Sequence, residues 1–231
     1  MAVSREKFPW KTWSASMLLE RGAGEIGIRI DRMAVDNLLK YLTELIKWNQ
    51  KINLIGPGDL QEQVIIHLLD ALCLLAHMDG DAVHFADVGS GGGIPGLVLK
   101  IARPTWTGLL IEARSKRAGF LRHMVRQMNL EGMDVHEGRL TPDVCRRIGN
   151  SFGLVTLRGF ASLKESLDLA APLMAQNARL AAYKGPHYED ELHEARGLIS
   201  EYGLSLEKAA AYDLPFIGRK RALVLLQKKI R

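Results

Sequence analysis

Apolar residues change their spacing about a third of the way along the chain. Before residue 80 they recur at helical intervals: Val35, Leu38, Leu39, Leu42, Leu45 and Ile46 keep the i, i+3, i+4 rule, with Asp31 placed as an N-cap. Ser14 to Arg21 predicts a short helix ahead of them, and Trp48 to Gly58 breaks the pattern as a loop. Asp59-Leu-Gln-Glu62 then has the form of a capping box, leading into Val64, Ile65, Leu68, Leu69, Leu72 and Leu75. His67 and Asp70 share one face of that helix. From Val83 onward, short β-prone runs alternate with helical ones. Strands are predicted at 83–88, 106–112, 133–136, 152–157, 178–184, 204–212 and 221–228, with helix starts at Thr141-Pro142 and Ser162-Leu-Lys-Glu165. Such alternation predicts an α/β fold with a mostly parallel, doubly covered sheet. The last two strands lack a crossover helix between them, so they pair antiparallel.

The stretch Phe85-Ala-Asp-Val-Gly-Ser-Gly-Gly-Gly-Ile-Pro-Gly-Leu-Val-Leu99 runs from a buried strand through a glycine turn into a helix, with Pro95 in its first turn. Turns of this kind, at the carboxyl edge of a parallel sheet, bind nucleotides. Nicotinamide, flavin and S-adenosylmethionine sites all use Gly-x-Gly, and the surrounding residues favour the last. Asp87 would repel a diphosphate but suits a ligand carrying an ammonium and a sulfonium. Glu112, at the end of Thr107-Gly-Leu-Leu-Ile-Glu112, stands where a carboxylate accepts hydrogen bonds from a ribose. The Walker A lysine is absent. Seven strands with a terminal antiparallel hairpin match the Rossmann-like class I S-adenosylmethionine methyltransferases better than the all-parallel dinucleotide fold.

A length of 231 residues suits a helical extension, residues 1–80, before a catalytic domain, residues 81–231. Cys73 and Cys145 lie far apart, which predicts neither metal site nor disulfide and fits a reducing cytoplasm. The N-terminus lacks the apolar run of a signal peptide, and no later segment reads as long and uncharged enough to span a bilayer. A net charge of +5 and a pI near 9.2 suggest a polyanionic partner. Arg114, Lys116, Arg117, Arg122 and Arg126 fall on one helix without acids, followed by Arg139, Arg146 and Arg147. A solvated helix face would look the same.

Several ordered motifs occupy the chain from about Asp31 to Lys228. They are Lys47-Trp-Asn-Gln-Lys-Ile-Asn-Leu54, His67-Leu-Leu-Asp70, Asp87-Val-Gly-Ser-Gly-Gly-Gly-Ile-Pro-Gly96, Lys116-Arg-x-x-Phe-Leu-Arg122, Arg158-Gly-Phe-Ala-Ser-Leu163 and Lys184-Gly185. In this set the chain resembles the bacterial small-subunit ribosomal RNA methyltransferases known as glucose-inhibited division protein B. The resemblance implies methyl transfer from S-adenosylmethionine to N7 of a guanine in 16S rRNA near the decoding centre. Gly89 and Ile94 would contact the cofactor in the turn, beside Asp87 and Gly91; Leu140 and Thr141 would flank the adenine, and Arg158 would stand where cofactor and target base meet. The chain departs from the family at Ile55, often Thr; Gly92, often Pro or Ala; Glu112, often Asp; and Leu157-Arg158-Gly159, often Ser-Arg-Ala.

The chemistry agrees with that implication. The amine-methylating Asp/Asn-Pro-Pro-aromatic loop is replaced by Leu157-Arg158-Gly159-Phe160, and neither cysteine is placed as a nucleophile for pyrimidine carbon. Guanine N7 carries a lone pair and no proton, so the enzyme need only align it with the methyl. Arg158 is the candidate reacting-site residue, as an anion clamp or a donor to guanine, or else a structural partner of a carboxylate; its replacement by Ala is expected to abolish methylation and spare the fold. Asn53, Arg117, Arg122, Arg139 and Lys184 are candidates for RNA contact. His67 with Asp70 reads as a hydrogen-bonding pair, and Trp48 as packed. A monomer acting on 16S rRNA or the small ribosomal subunit, away from membranes, is expected. The alternatives are a methyltransferase of the same fold for a small molecule or protein, and a ribosome-binding protein without activity.

Overall fold

The computed structural model describes residues 9–78, 83–159 and 161–229. Its strands are β1 (His84–Val88), β2 (Thr107–Glu112), β3 (Met133–Glu137), β4 (Phe152–Arg158), β5 (Met174–Lys184), β6 (Leu204–Asp213) and β7 (Lys220–Lys228). They form one seven-stranded sheet in the order β3-β2-β1-β4-β5-β7-β6. The first five pair in parallel, and β7 runs antiparallel to both β5 and β6. This is the class I methyltransferase arrangement that the strand pattern predicts. Val88 lies level with Ile111 of β2 and Leu157 of β4, so three carboxyl ends meet at one edge.

Strand pleating sends alternate residues to opposite cores. Phe85, Leu110, Leu154 and Leu223 pack among Leu18, Leu38, Leu42, Leu68 and Leu72 of the N-terminal helices. Ala86, Val155, Leu180 and Val224 pack against Leu163, Leu167 and Ala195 on the other side. The N-terminal helices are therefore one covering layer of the sheet, with Ala15–Glu25 and Arg32–Ile52 capped by Ser14 and Asp31.

The structure differs from the predicted pattern in several places. The helix does not end at Trp48 but at Ile52, because Trp48 packs on Phe120 and His123 and the Asn49 side chain accepts from the amides of Leu54 and Ile55 at 2.6 and 2.8 Å. Asn53 ends it in a left-handed conformation. Gly96 rather than Pro95 starts the helix after the glycine turn, with Pro95 as its N-cap residue. Asp59 caps the Glu62 amide, but the Glu62 carboxylate turns to Lys11. Leu60–His77 is helical throughout, with a π-helical centre at Val64–Leu69. Contrary to the sequence reading, it meets the length and hydropathy of a membrane span, with mean hydropathy 1.2; 67% of that window is buried, so its apolar surface faces the core. The expected domain boundary at 80/81, Phe160 and the first eight residues of the chain lie outside the described residues.

Candidate active site

The chain leaves β1 as a turn tied to β2, with the amides of Gly89 and Ser90 both donating to Ile111 O at 2.9 and 3.0 Å. Gly93 sits at φ +87°, and a Cβ there would meet Leu97 Cδ1 at 2.5 Å. A Cβ on Gly96 would stand 2.5 Å from Leu110 Cδ2 and 2.8 Å from Asp87 Oδ2, so this helix can approach β1 and β2 only with glycine at that position. From the N-terminal layer, the buried Tyr41 hydroxyl donates to Gly92 O at 2.5 Å and holds the turn from behind.

Asp87 lies beneath the turn, 1% exposed, accepting from Thr156 Oγ1 at 2.7 Å and from the Gly96 amide at 3.2 Å. Burial pushes its carboxyl up to about 6 despite those donors. It thus fixes the turn from below and does not line the cavity predicted for it. Glu112, 5% exposed, uses Oε2 to accept from the Gly91 amide at 2.9 Å and Oε1 to accept from the Arg114 amide at 2.8 Å. Each oxygen keeps a second lone pair.

In front of the turn opens a cavity of about 460 Å³, lined by Gly89, Glu112, Arg114, Arg117, Arg139 and Leu140 among others. The size suits a nucleoside-sized ligand. A carboxylate with free lone pairs suits a ribose diol, and a floor bearing Glu112 with Asp87 behind it opposes a diphosphate; S-adenosylmethionine fits this donor set. Leu140 lines the cavity, whereas Ile94 is buried behind the turn and Thr141 caps the helix Pro142–Ile148 through the Val144 amide. Arg117 Nη2 donates to Asn53 O at 2.9 Å, which brings the exposed Asn53 to the cavity's edge.

A second cavity, about 550 Å³, adjoins the first at Gly159, which lines both. Arg158 stands in this second cavity rather than the first. Its Nε donates to Asp70 Oδ2 at 2.9 Å, and its Nη2 to Ile66 O at 2.8 Å and His67 Nδ1 at 3.3 Å. Asp70, 1% exposed, also accepts from the Tyr212 hydroxyl at 2.8 Å, with Arg221 Nε at 3.8 Å. His67 and Asp70 are therefore joined through Arg158 and not to each other. Burial and the Arg158 charge push His67 down to about 3, so its ring is neutral. Arginine only donates; Nδ1 must accept, and the ring proton sits on Nε2.

Of the predicted RNA-contact residues, Arg117 and Arg139 line the first cavity. Arg122 is instead ion-paired with Glu137, whose carboxyl is held low first by Ser115 and then by Arg122. Lys184 is engaged too, donating to Ala161 O at 3.2 Å and Glu191 Oε2 at 2.7 Å. The sequence reading missed Glu191, Tyr212 and Arg221, all in the half of the chain distant from His67 and Asp70. Glu191 lies seven residues after Lys184, one turn into the helix Tyr188–Glu201, and only that spacing signalled it.

Residues 34–222 match the family model for rRNA small subunit methyltransferase G. The chain is a member of that family. The ribosomal RNA small subunit methyltransferase G of Desulfotalea psychrophila is 35% identical over 210 residues, covering 90% of this chain and 96% of that protein. That of Syntrophotalea carbinolica is 35% identical over 204 residues, covering 88% and 94%. An O-methyltransferase from Bacillus cereus in complex with S-adenosylhomocysteine shares the fold, with a TM-score of 0.60 at 16% identity, covering 95% of this chain and all of that one. As a family member the chain is a methyltransferase enzyme with S-adenosylmethionine as its methyl donor.

Proposed function

We propose that this methyltransferase transfers a methyl group from S-adenosylmethionine to N7 of one guanine in 16S rRNA. The observation that carries the reading is the meeting of two cavities at Gly159. One is built to hold a nucleoside beside the glycine turn, and the other is ringed by polar groups able to hold a base. When bound, the cofactor supplies an electrophilic methyl. Glu112 would hold the ribose, and the amides around Gly89 keep the turn in shape. Guanine N7 has no proton to lose, so the residues of the second cavity need only set its lone pair in line with the methyl. At the rim of the first cavity Arg114 and Arg139 lie exposed, as does Lys116 beside them, and they would neutralise phosphates, so binding should weaken as salt rises. The target base must leave its stack, or lie in an open loop, to reach the pocket.

In this reading the N-terminal layer braces the site, through Tyr41 at the turn and Asp70 at Arg158. The enzyme would act as a single copy on the small subunit or its RNA in the cytoplasm, where the buried free cysteines Cys73 and Cys145 stay reduced. The test is incubation with methyl-labelled S-adenosylmethionine and small subunits from a strain lacking the protein. Label in 16S rRNA supports the reading. Label in ribosomal protein or in a small molecule points to a different acceptor, and none points to binding without catalysis; either would overturn it.

A further inference from the structure

Glu191 and Arg158, both lining the second cavity, have hydrogen-bonding capacity that the described residues do not use, as does Arg221, whose Nε is buried there without a hydrogen-bond partner. Glu191 accepts from both the Leu163 amide and Lys184 Nζ, each at 2.7 Å, and both bonds fall on Oε2. No bond among the described residues falls on Oε1. Arg158 spends Nε and Nη2 on Asp70, Ile66 O and His67, and no bond among the described residues uses Nη1. The cavity therefore presents a carboxylate acceptor on the side of the helix Tyr188–Glu201 and a guanidinium donor at the end of β4.

A phosphate fits such a cavity badly, because the Glu191 carboxylate would face its negative charge. A base that donates at one point and accepts at the next fits well. Among the RNA bases, guanine offers N1–H and N2–H₂ donors beside the O6 acceptor, whereas adenine presents an acceptor at N1. Adenine would leave the carboxylate unpaired against a lone pair. We propose that the cavity around Arg158, Lys184 and Glu191 is the guanine pocket, and that Glu191, held in place by Lys184, is the residue that selects guanine by accepting from its Watson–Crick edge. Arg158 Nη1 then donates to O6, leaving N7 toward Gly159 and the first cavity. The neutral His67 ring lines the same pocket without adding charge that would compete for the carboxylate.

This inference rests on the proposed methylation of guanine N7, and the experiment separates the two. Wild-type enzyme is first assayed on small subunits; 7-methylguanosine in the 16S rRNA establishes the parent reading, and its absence fails that reading and takes the guanine pocket with it. Subunits are then assembled with inosine at the methylated position, which keeps N7, O6 and N1–H but lacks the N2 amine. Wild-type kcat/KM is expected to fall about 10- to 100-fold, the contribution of one hydrogen bond to a charged group. Glu191→Gln is expected to lose a similar factor on guanine, to be nearly indifferent to inosine, and to bind S-adenosylmethionine within about twofold of wild type. Should Glu191→Gln misfold, the inosine comparison with wild-type enzyme still decides. Equal rates on guanine and inosine in wild type, or a folded Glu191→Gln with unchanged rate or unchanged inosine discrimination, would overturn the assignment.

Discussion

Replacing Asp70 by Asn tests whether the Arg158 network is part of the fold as well as of the site. Asp70 is 1% exposed and receives Arg158 at 2.9 Å and Tyr212 at 2.8 Å, with Arg221 at 3.8 Å. Asparagine keeps the shape and the tyrosine bond but removes the charge, leaving two guanidinium groups facing a neutral amide. Breaking a buried pair from one side costs about 3–5 kcal/mol. For a chain of this size each kcal/mol lowers the melting temperature by about 2–4 °C, so a drop of about 6–20 °C is expected by calorimetry or circular dichroism. Arg158→Met should fall in the same range, since it strands the carboxylate. This revises the sequence expectation that losing the Arg158 side chain spares the fold. The double variant Asp70→Asn/Arg158→Met should be less destabilised than the sum of the two singles, with a coupling of about 0.5–3 kcal/mol. S-adenosylmethionine affinity should change little in Asp70→Asn, because the network lies in the other cavity. An Asp70→Asn protein that melts within 2 °C of wild type, or strict additivity in the double variant, would refute this account.

Three further outcomes follow from the geometry. His67 is held near 3 in the fold, far below its ordinary value of 6.5, so between those values the unfolded chain binds the proton and the fold does not. Stability is thus lost as pH falls through about 6.5, and urea unfolding should show wild type losing more than His67→Gln between pH 7.5 and 5; equal losses would contradict this. The raised Asp87 acts in the opposite direction but equally in both proteins, and cancels in the comparison. Gly96→Ala should cost about 1–3 kcal/mol by overpacking against Leu110 and Asp87, and should weaken cofactor binding in calorimetric titration; a variant with wild-type affinity would show that the turn tolerates the shift. Arg139→Ala should weaken small-subunit binding and lower its salt slope by about 1, while Arg122→Ala, whose charge is already paired with Glu137, should change the slope less.

The sheet was legible because central parallel strands are continuously apolar and the glycine turn punctuates them. Six of the seven strands begin or end within a residue or two of the pattern; β5 starts four residues early, at Met174, where Asn177 at φ +60° and a register shift interrupt the apolar run. Glu112 and Leu140 fell into the cavity because strand ends and the residues just after them are fixed by topology. What sequence spacing could not show was which charges are already satisfied. Arg122 reads as a free cation until β3 brings Glu137 beside it, and the carboxylate that could partner Arg158 has no identity until Asp70, 88 positions away, is found bonded to it. Asp87 is misleading for a related reason: one residue's shift along a strand exchanges a cavity wall for the core.

The central claim is that a donor beside the glycine turn alkylates a purine nitrogen that needs no base. Nucleoside analysis of 16S rRNA, purified after reaction of methyl-deficient small subunits with this enzyme and S-adenosylmethionine, tests it most directly. The account predicts a single new methylated nucleoside, 7-methylguanosine, mapping to one position at up to one per particle. A methyl group on an exocyclic amine, on a pyrimidine carbon or on a ribose oxygen would contradict it.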